Sequence, residues 1–211
     1  DELHELHPEG LDGLILCAGV PGSCHDLRLI LSLNFFGTIS IIKGAYDLLE
    51  KKGGSCVATV SNAISQGDLR MDLADILNNN NEDELRILDL VSNLDENDLL
   101  TGNRLYVASK YALARWVRRH SASYAANGVR INAVAPGNVN TSMTATMSVD
   151  EKTALNALPI PTKYGKETLM EPDEIASAIN FLISKEARGV NGIIMFVDGG
   201  TDALLNSEKV Y

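Results

Sequence analysis

Four short apolar runs, each closed by small residues, glycine or proline, limit what this chain can fold into more than any other feature. They are residues 14–17, ended by Ala18-Gly19; 56–61; 131–135, broken by Pro136-Gly137; and 193–197, followed by Asp198-Gly199-Gly200. Runs this short and continuously apolar suit strands buried on both faces, as in parallel sheets. Between the first two, residues 27–49 carry apolar side chains at three- and four-residue intervals and stop at Gly53-Gly54, which predicts a helix. Further helices are predicted over 105–126, ended by Gly128, and over 173–184, with Pro172 at the first turn. Ser148 with Glu151 forms a capping-box start for another. Strands alternating with helices require βαβ crossovers, so the expected fold is α/β, a doubly wound parallel sheet with helices on both faces.

Residues 66–103 interrupt this rhythm with ten acidic residues against Arg70 and Arg86, a net charge of −8 within a chain whose total is −10. This is an acidic insertion within one domain spanning 1–211. Leu73, Ile76, Leu77, Leu85, Leu88 and Leu90 are spaced for short amphipathic helices, and the Asn78–Asn81 run reads as a mobile tip. The insertion suits a solvated appendage and a substrate cover or partner surface about equally. The acidic balance argues against binding to nucleic acid or an anionic membrane. The basic cluster Arg115, Arg118, Arg119 and His120 reads as a solvated helix face. Cys17, Cys24 and Cys56 lack the spacing of a disulfide framework or zinc site, which suits a reducing cytoplasm, and no metal is expected. No apolar run reaches the roughly 18 residues of a membrane span, and no signal segment opens the chain.

The chemistry centres on Tyr106-Val107-Ala108-Ser109-Lys110, where a phenol and an ammonium four residues apart share one helix face. A free phenol titrates near pH 10, and bringing it to neutrality takes about 4 kcal/mol of preferential anion stabilisation, which a neighbouring cation can supply. Isolated pairs of this kind are common by chance, so the surrounding sequence decides.

That surrounding sequence resembles the short-chain dehydrogenase/reductase family along nearly the whole chain. Cys17-Ala18-Gly19 is similar to the family's Asn-Ala-Gly turn, with cysteine in place of asparagine. Leu33-Asn34-Phe35-Phe36-Gly37 resembles the segment whose asparagine interrupts a helix and holds a water leading to the lysine. Asn132-Ala133-Val134-Ala135-Pro136-Gly137-Asn138-Val139-Asn140-Thr141 resembles the family's nicotinamide-side run, and Val197-Asp198-Gly199-Gly200 its last strand and turn, where a structural role is expected. Within the family the likeness is to the bacterial 3α-hydroxysteroid dehydrogenase/carbonyl reductase branch, whose members carry a helical insertion at the same place that takes part in their dimer contact.

The resemblance implies a Rossmann-like fold and an NAD(P)-dependent oxidoreductase, with NAD or NADP as cofactor, interconverting a hydroxyl and a carbonyl. It assigns Tyr106 as general acid or base, Lys110 as the group that lowers its pKa and holds the ribose, and Asn34 as the end of a proton path. The catalytic serine falls at Ser61 when Gly54-Ser55 is matched without a gap. It falls at Asn62 when Ser61-Asn62 is matched to the family's serine pair, with Ser65 a weaker candidate; Ser61 is preferred. Ala18, Gly19, Tyr106, Lys110, Pro136, Gly137, Val139 and Thr141 are the implied cofactor contacts, Val139 at the nicotinamide amide and Thr141 at a phosphate. The family's glycine-rich pyrophosphate turn and the strands around it do not occur in these 211 residues, so an N-terminal portion is expected upstream, without which residues 14–17 form an exposed edge strand. Residues 141–161, with Met143, Met147, Leu155 and Leu158, lie where the family places its lid, and they suit a hydrophobic alcohol or ketone such as a steroid equally with an ordinary core helix. A homodimer or homotetramer is expected. The competing readings are a non-catalytic binding or regulatory module of the same fold, and a lyase or epimerase.

Overall fold

The computed structural model describes residues 2–67, 71–79, 84–91, 94, 99–145, 149–156, 158–163 and 169–210. Helix α1 (Glu2–Leu6) precedes strand β1 (Gly13–Leu16); α2 (Leu27–Leu31), a π-helical turn (Ser32–Gly37), α3 (Thr38–Gly44) and α4 (Tyr46–Glu50) lead to β2 (Ser55–Thr59). A 3₁₀ turn (Asn62–Ser65), α5 (Met71–Asn79), α6 (Glu84–Val91) and the long α7 (Leu99–Ala125) lead to β3 (Arg130–Pro136). Then α8 (Ser142–Ala145), α9 (Val149–Asn156) and α10 (Pro172–Ile183) precede β4 (Ile194–Val197) and α11 (Thr201–Leu205). The four strands form one parallel sheet in the order β1-β2-β3-β4, with Val57 opposite Ile15 on one side and Asn132 on the other. The expected strands are all present, displaced by one or two residues, so that Ser61 lies just beyond β2 rather than inside it.

Alternate residues of the central strands feed two cores. Cys56, Ala58, Ile131, Ala133 and Ala135 pack with Leu31, Phe35, Ile39, Leu113 and Trp116 of the helices on one face. Val57 and Val134 pack with Ile175, Ile179 and Leu182 of α10 on the other. Both faces are covered, as the sequence pattern demands. All three crossovers step in the same direction across the sheet, yet the third packs α10 on the opposite face from the helices of the first two. Its hand is therefore opposite to theirs, against the strong single-handed preference of such units.

The predicted 27–49 helix is not continuous. Asp26 caps its start by accepting from Leu29 N at 3.0 Å, but the turn around Asn34 is π-helical, and a Cβ at Gly37 would lie 3.0 Å from the Ser32 carbonyl. By length and composition Leu27–Gly44 could cross a bilayer, contrary to the expectation of no such run. Half of it is buried inside the protein, with Ile30, Phe35 and Ile42 fully enclosed. The Ser148 cap lies outside the described residues; α10 carries a reciprocal cap that the pattern search missed, with Glu171 N donating to Glu174 at 2.7 Å.

The insertion forms α5, α6 and the first turn of α7. Ala74, Leu77, Ile87, Leu88 and Val91 are buried in the same core as the sheet's first face, so these helices are anchored rather than simply appended. Arg115 pairs with Asp75 of α5, and His120 stacks on Trp116 with ring centroids 4.1 Å apart, so the basic cluster is partly structural, not a fully solvated face. Asn78 is helical and donates to the Ala112 carbonyl at 3.1 Å, which removes it from the expected mobile run; Asn80 and Asn81 lie outside the described residues.

Arg130 holds the C-terminal end of α10 to the start of β3. Its guanidinium donates to the carbonyls of Leu182 at 2.8 Å, Ser184 at 3.0 Å and Val190 at 3.3 Å, a cation where the helix presents unpaired acceptors. Arg130→Met is expected to lower unfolding stability by about 1.5–3 kcal/mol. In urea this appears as a lower midpoint with an unchanged slope; an unmoved midpoint would remove the cap from the fold's support.

Candidate active site

The carboxyl ends of β1, β2 and β3 and one face of α7 surround a cleft of about 680 Å³, within the usual range for small-molecule sites and in the position where open parallel sheets hold ligands. Strand β1 supplies Cys17, Gly19 and Val20; β2 supplies Thr59, Ser61 and Asn62; β3 supplies Pro136, Gly137 and Val139; α7 supplies Tyr106 and Lys110.

Lys110 is buried, 4% exposed, and its Nζ donates to the Thr59 carbonyl at 2.9 Å. Burial pulls its pKa down to about 8, opposed by the nearby Cys17. Its Nζ lies 6.0 Å from the Tyr106 ring centre, so the pair one helical turn apart does meet in the cleft. The expected lowering of the phenol's pKa is not what the cleft produces. Burial pushes Tyr106 upward, and the hydrogen bond with Ser61 pulls weakly against it. Desolvation is the largest influence on the phenol, and the Lys110 ammonium donates its hydrogen bond to the Thr59 carbonyl.

Among the three serine registers, Ser61 is the one that reaches Tyr106. Its extended backbone (φ −162°, ψ 149°) aims Oγ at the phenol while also accepting from Ala63 N at 3.2 Å. Asn62 faces Gly137, and Ser65 donates to the Asn62 carbonyl at 3.0 Å, outside the cleft lining. Asn34 is fully buried behind the cleft. Its Oδ1 accepts from Val20 N and its Nδ2 donates to Val20 O, both at 2.9 Å. The π-helical turn thus turns a side chain toward the loop after β1. A Cβ at Gly19 would come within 2.9 Å of Asn34 Oδ1 and 3.4 Å of Lys110 Nζ, so only glycine fits there.

Pro136, Gly137, Val139 and Thr141 all line the cleft, while Ala18 is exposed and does not. A Cβ at Gly137 would lie 2.9 Å from Asp198 Cα, which accounts for glycine after the proline. Val139 bridges to Met170, and Thr144 Oγ1 holds the turn by donating to Val139 O while receiving Thr141 N, each at 2.9 Å. Asn132 is structural: it donates to Val190 O and accepts from Ile193 N, joining β3 to the approach of β4. Asp198 accepts from Gly200 N and Asp202 N, which starts α11. From the lid segment, Met143 and Leu158 reach the cleft; Met147 and the side chain of Leu155 lie outside the described residues.

Sequence reasoning missed several contributors. The Thr59 carbonyl has no signal in side-chain chemistry. Gln66, Leu100 and Asn103 also line the cleft, and helical spacing from Tyr106 could have found Asn103. A close backbone contact was missed as well: a Cβ on Gly102 would lie 2.1 Å from the Gly22 carbonyl, so the first turn of α7 sits directly on the loop after β1.

A family model described as enoyl-(acyl carrier protein) reductase matches residues 77–202. The 3-alpha-hydroxysteroid dehydrogenase/carbonyl reductase of Comamonas testosteroni is 32% identical over 93% of this chain and 75% of its own length. The cis-4-hydroxycyclohexanecarboxylate dehydrogenase of Sinomonas cyclohexanicum is 41% identical over 47% of this chain and 38% of its own length. Among solved structures, the 3-alpha-hydroxysteroid dehydrogenase from Pseudomonas sp. B-0831, complexed with NADH, superposes with a TM-score of 0.84 at 29% identity, over 99% of this chain and 79% of that one. Sequence likeness across the insertion and the sheet, and a superposition that includes the cleft, lead to one conclusion: the chain belongs to the short-chain dehydrogenase/reductase family.

Proposed function

We propose that this chain catalyses NAD(P)-dependent interconversion of a hydroxyl and a carbonyl on a small hydrophobic alcohol or ketone. The observation that carries the reading is the Tyr106 phenol set against Ser61 inside a cleft floored by the buried Lys110 ammonium. The nicotinamide supplies or accepts the hydride when bound. Residues suited to hold it are Gly19, whose lack of a Cβ lets the loop after β1 close on Asn34 and Lys110 at the cleft's edge, and Pro136, Gly137, Val139 and Thr141 along the opposite wall. Ala18 would contribute backbone at the rim. Lys110 would hold the ribose hydroxyls.

Tyr106 gives a proton to the substrate oxygen in reduction and takes one in oxidation, while Ser61 orients that oxygen. A phenol held above its ordinary pKa stays protonated at neutral pH, the form that donates. Asn34 acts through the loop after β1, fixing Val20 and with it Gly19, which lies against Lys110, at the end of the proton path. A non-catalytic module is disfavoured because a buried lysine costs stability that only a function such as this explains. Leu100, Met143 and Leu158 give the cleft apolar walls, suited to a steroid or another alicyclic substrate, as the named relatives suggest. A cytoplasmic homodimer or homotetramer completes the reading.

Tyr106→Phe is expected to lower turnover by on the order of 10³-fold while leaving NADH or NADPH affinity, read by nicotinamide fluorescence, within a factor of two or so of wild type; retention of wild-type turnover would overturn the assignment. Alcohol oxidation should accelerate as pH rises through 8 to 10, because it needs the phenolate, whereas carbonyl reduction should not. An oxidation rate flat over that range counts against Tyr106 as the base.

Lys110 gives a stability test independent of turnover. Its folded pKa of about 8 lies below the unfolded value, so between these values the unfolded chain binds a proton that the folded chain does not, and stability rises with pH. Tyr106, raised in the fold, works in the opposite direction only above about pH 10. From pH 8 to 10 the unfolding free energy of wild type should therefore gain about 2 kcal/mol relative to Lys110→Met. Parallel pH profiles for the two proteins would show that Lys110 is not buried as a cation.

A further inference from the structure

The turn that follows Ser61 carries two carboxamides that the chemistry above does not use. Asn62 is 4% exposed and lines the cleft, and its side chain takes part in no hydrogen bond among the described residues. A Cβ on Gly137 would lie 3.4 Å from Asn62 Nδ2, which places the amide across from the Pro136-Gly137 turn. Gln66, at the other end of the same 3₁₀ turn, also lines the cleft, and its Nε2 is sealed from solvent without a partner. A buried amide left unsatisfied destabilises the fold. An enclosed Gln66 amide nitrogen without a partner and an Asn62 amide open to the same cleft, on one turn, indicate a ligand group that satisfies them.

The backbone tells which oxygen they do not serve. Ser61 points at Tyr106, where the reacting oxygen must sit, whereas Asn62 opens the 3₁₀ turn and faces Gly137. Asn62 therefore addresses a different atom. Nothing apolar can answer a carboxamide, which offers one acceptor and two donors, and Gln66 can turn its amide toward the cleft by rotating a soft terminal torsion.

We propose that Asn62 and Gln66 form a second polar subsite that binds a hydroxyl or carbonyl oxygen of the substrate other than the one that reacts. The substrate class is then a ketone or alcohol with an apolar ring and a second oxygen function. This rests on the oxidoreductase reading above and narrows it.

The test compares cyclohexanones carrying a hydroxyl at ring position 2, 3 or 4 with their methyl counterparts, using full-length chain and NADH or NADPH. At least one hydroxy ketone should exceed its methyl partner about tenfold or more in kcat/KM, since a site built to bond a hydroxyl rejects the analogue that leaves it unpaired. Asn62→Leu should bring that ratio close to one, and Gln66→Met should lower it. Equal rates across every pair, or a ratio that survives both substitutions, would overturn the subsite. So would a loss of cofactor affinity as large as the loss of the ratio, since that assigns the amides to the nicotinamide. If Asn62→Leu does not fold, Gln66→Met and the wild-type comparison carry the test. Turnover without hydroxyl preference removes the subsite alone; no turnover of any ketone removes the enzymatic reading and the subsite with it.

Discussion

A lysine ammonium sealed beneath a cleft is the constraint around which this structure is arranged. Burial alone would expel the charge or neutralise it, and the Thr59 carbonyl at 2.9 Å is what the fold offers in return. That carbonyl is available because β2 ends at Thr59, so its last acceptor faces the helix rather than a neighbouring strand. The strand end, the position of α7 and the exclusion of side-chain bulk at Gly19 all follow from keeping Nζ at this one place.

The same economy explains the π-helical turn. An ordinary helix through residues 32–37 would satisfy its own backbone more regularly, but it would rotate Asn34 relative to the loop after β1. The wider turn brings the carboxamide onto both backbone groups of Val20, and such bulges often mark functional positions. Local irregularity here replaces what a longer loop would have to do with less order.

The parallel sheet was legible from four apolar runs because buried strands leave no polar residues in their sequence. The Tyr106 and Lys110 pair was legible because four residues make about one helical turn. What escaped the sequence was set by atoms without side-chain identity. The Thr59 carbonyl, the close approach of Gly22 to Gly102 and the face chosen by α10 are all backbone decisions. The direction of the Tyr106 shift escaped for a different reason: spacing shows that a cation is near, but not how much water both groups have lost. The register between Ser61, Asn62 and Ser65 needed a backbone angle, since all three are polar and lie within one turn.

The contact between Gly22 and Gly102 has a mechanical consequence. It seats the start of α7 on the same loop that Asn34 holds, only one turn ahead of Tyr106. Farther along the same helix, α5 takes hold through Asn78 on the Ala112 carbonyl and Asp75 on Arg115. The long helix is thus clamped on either side of the phenol, by a bare backbone seat before it and by the grip of α5 after it, and the insertion becomes part of the frame that holds the cleft in shape.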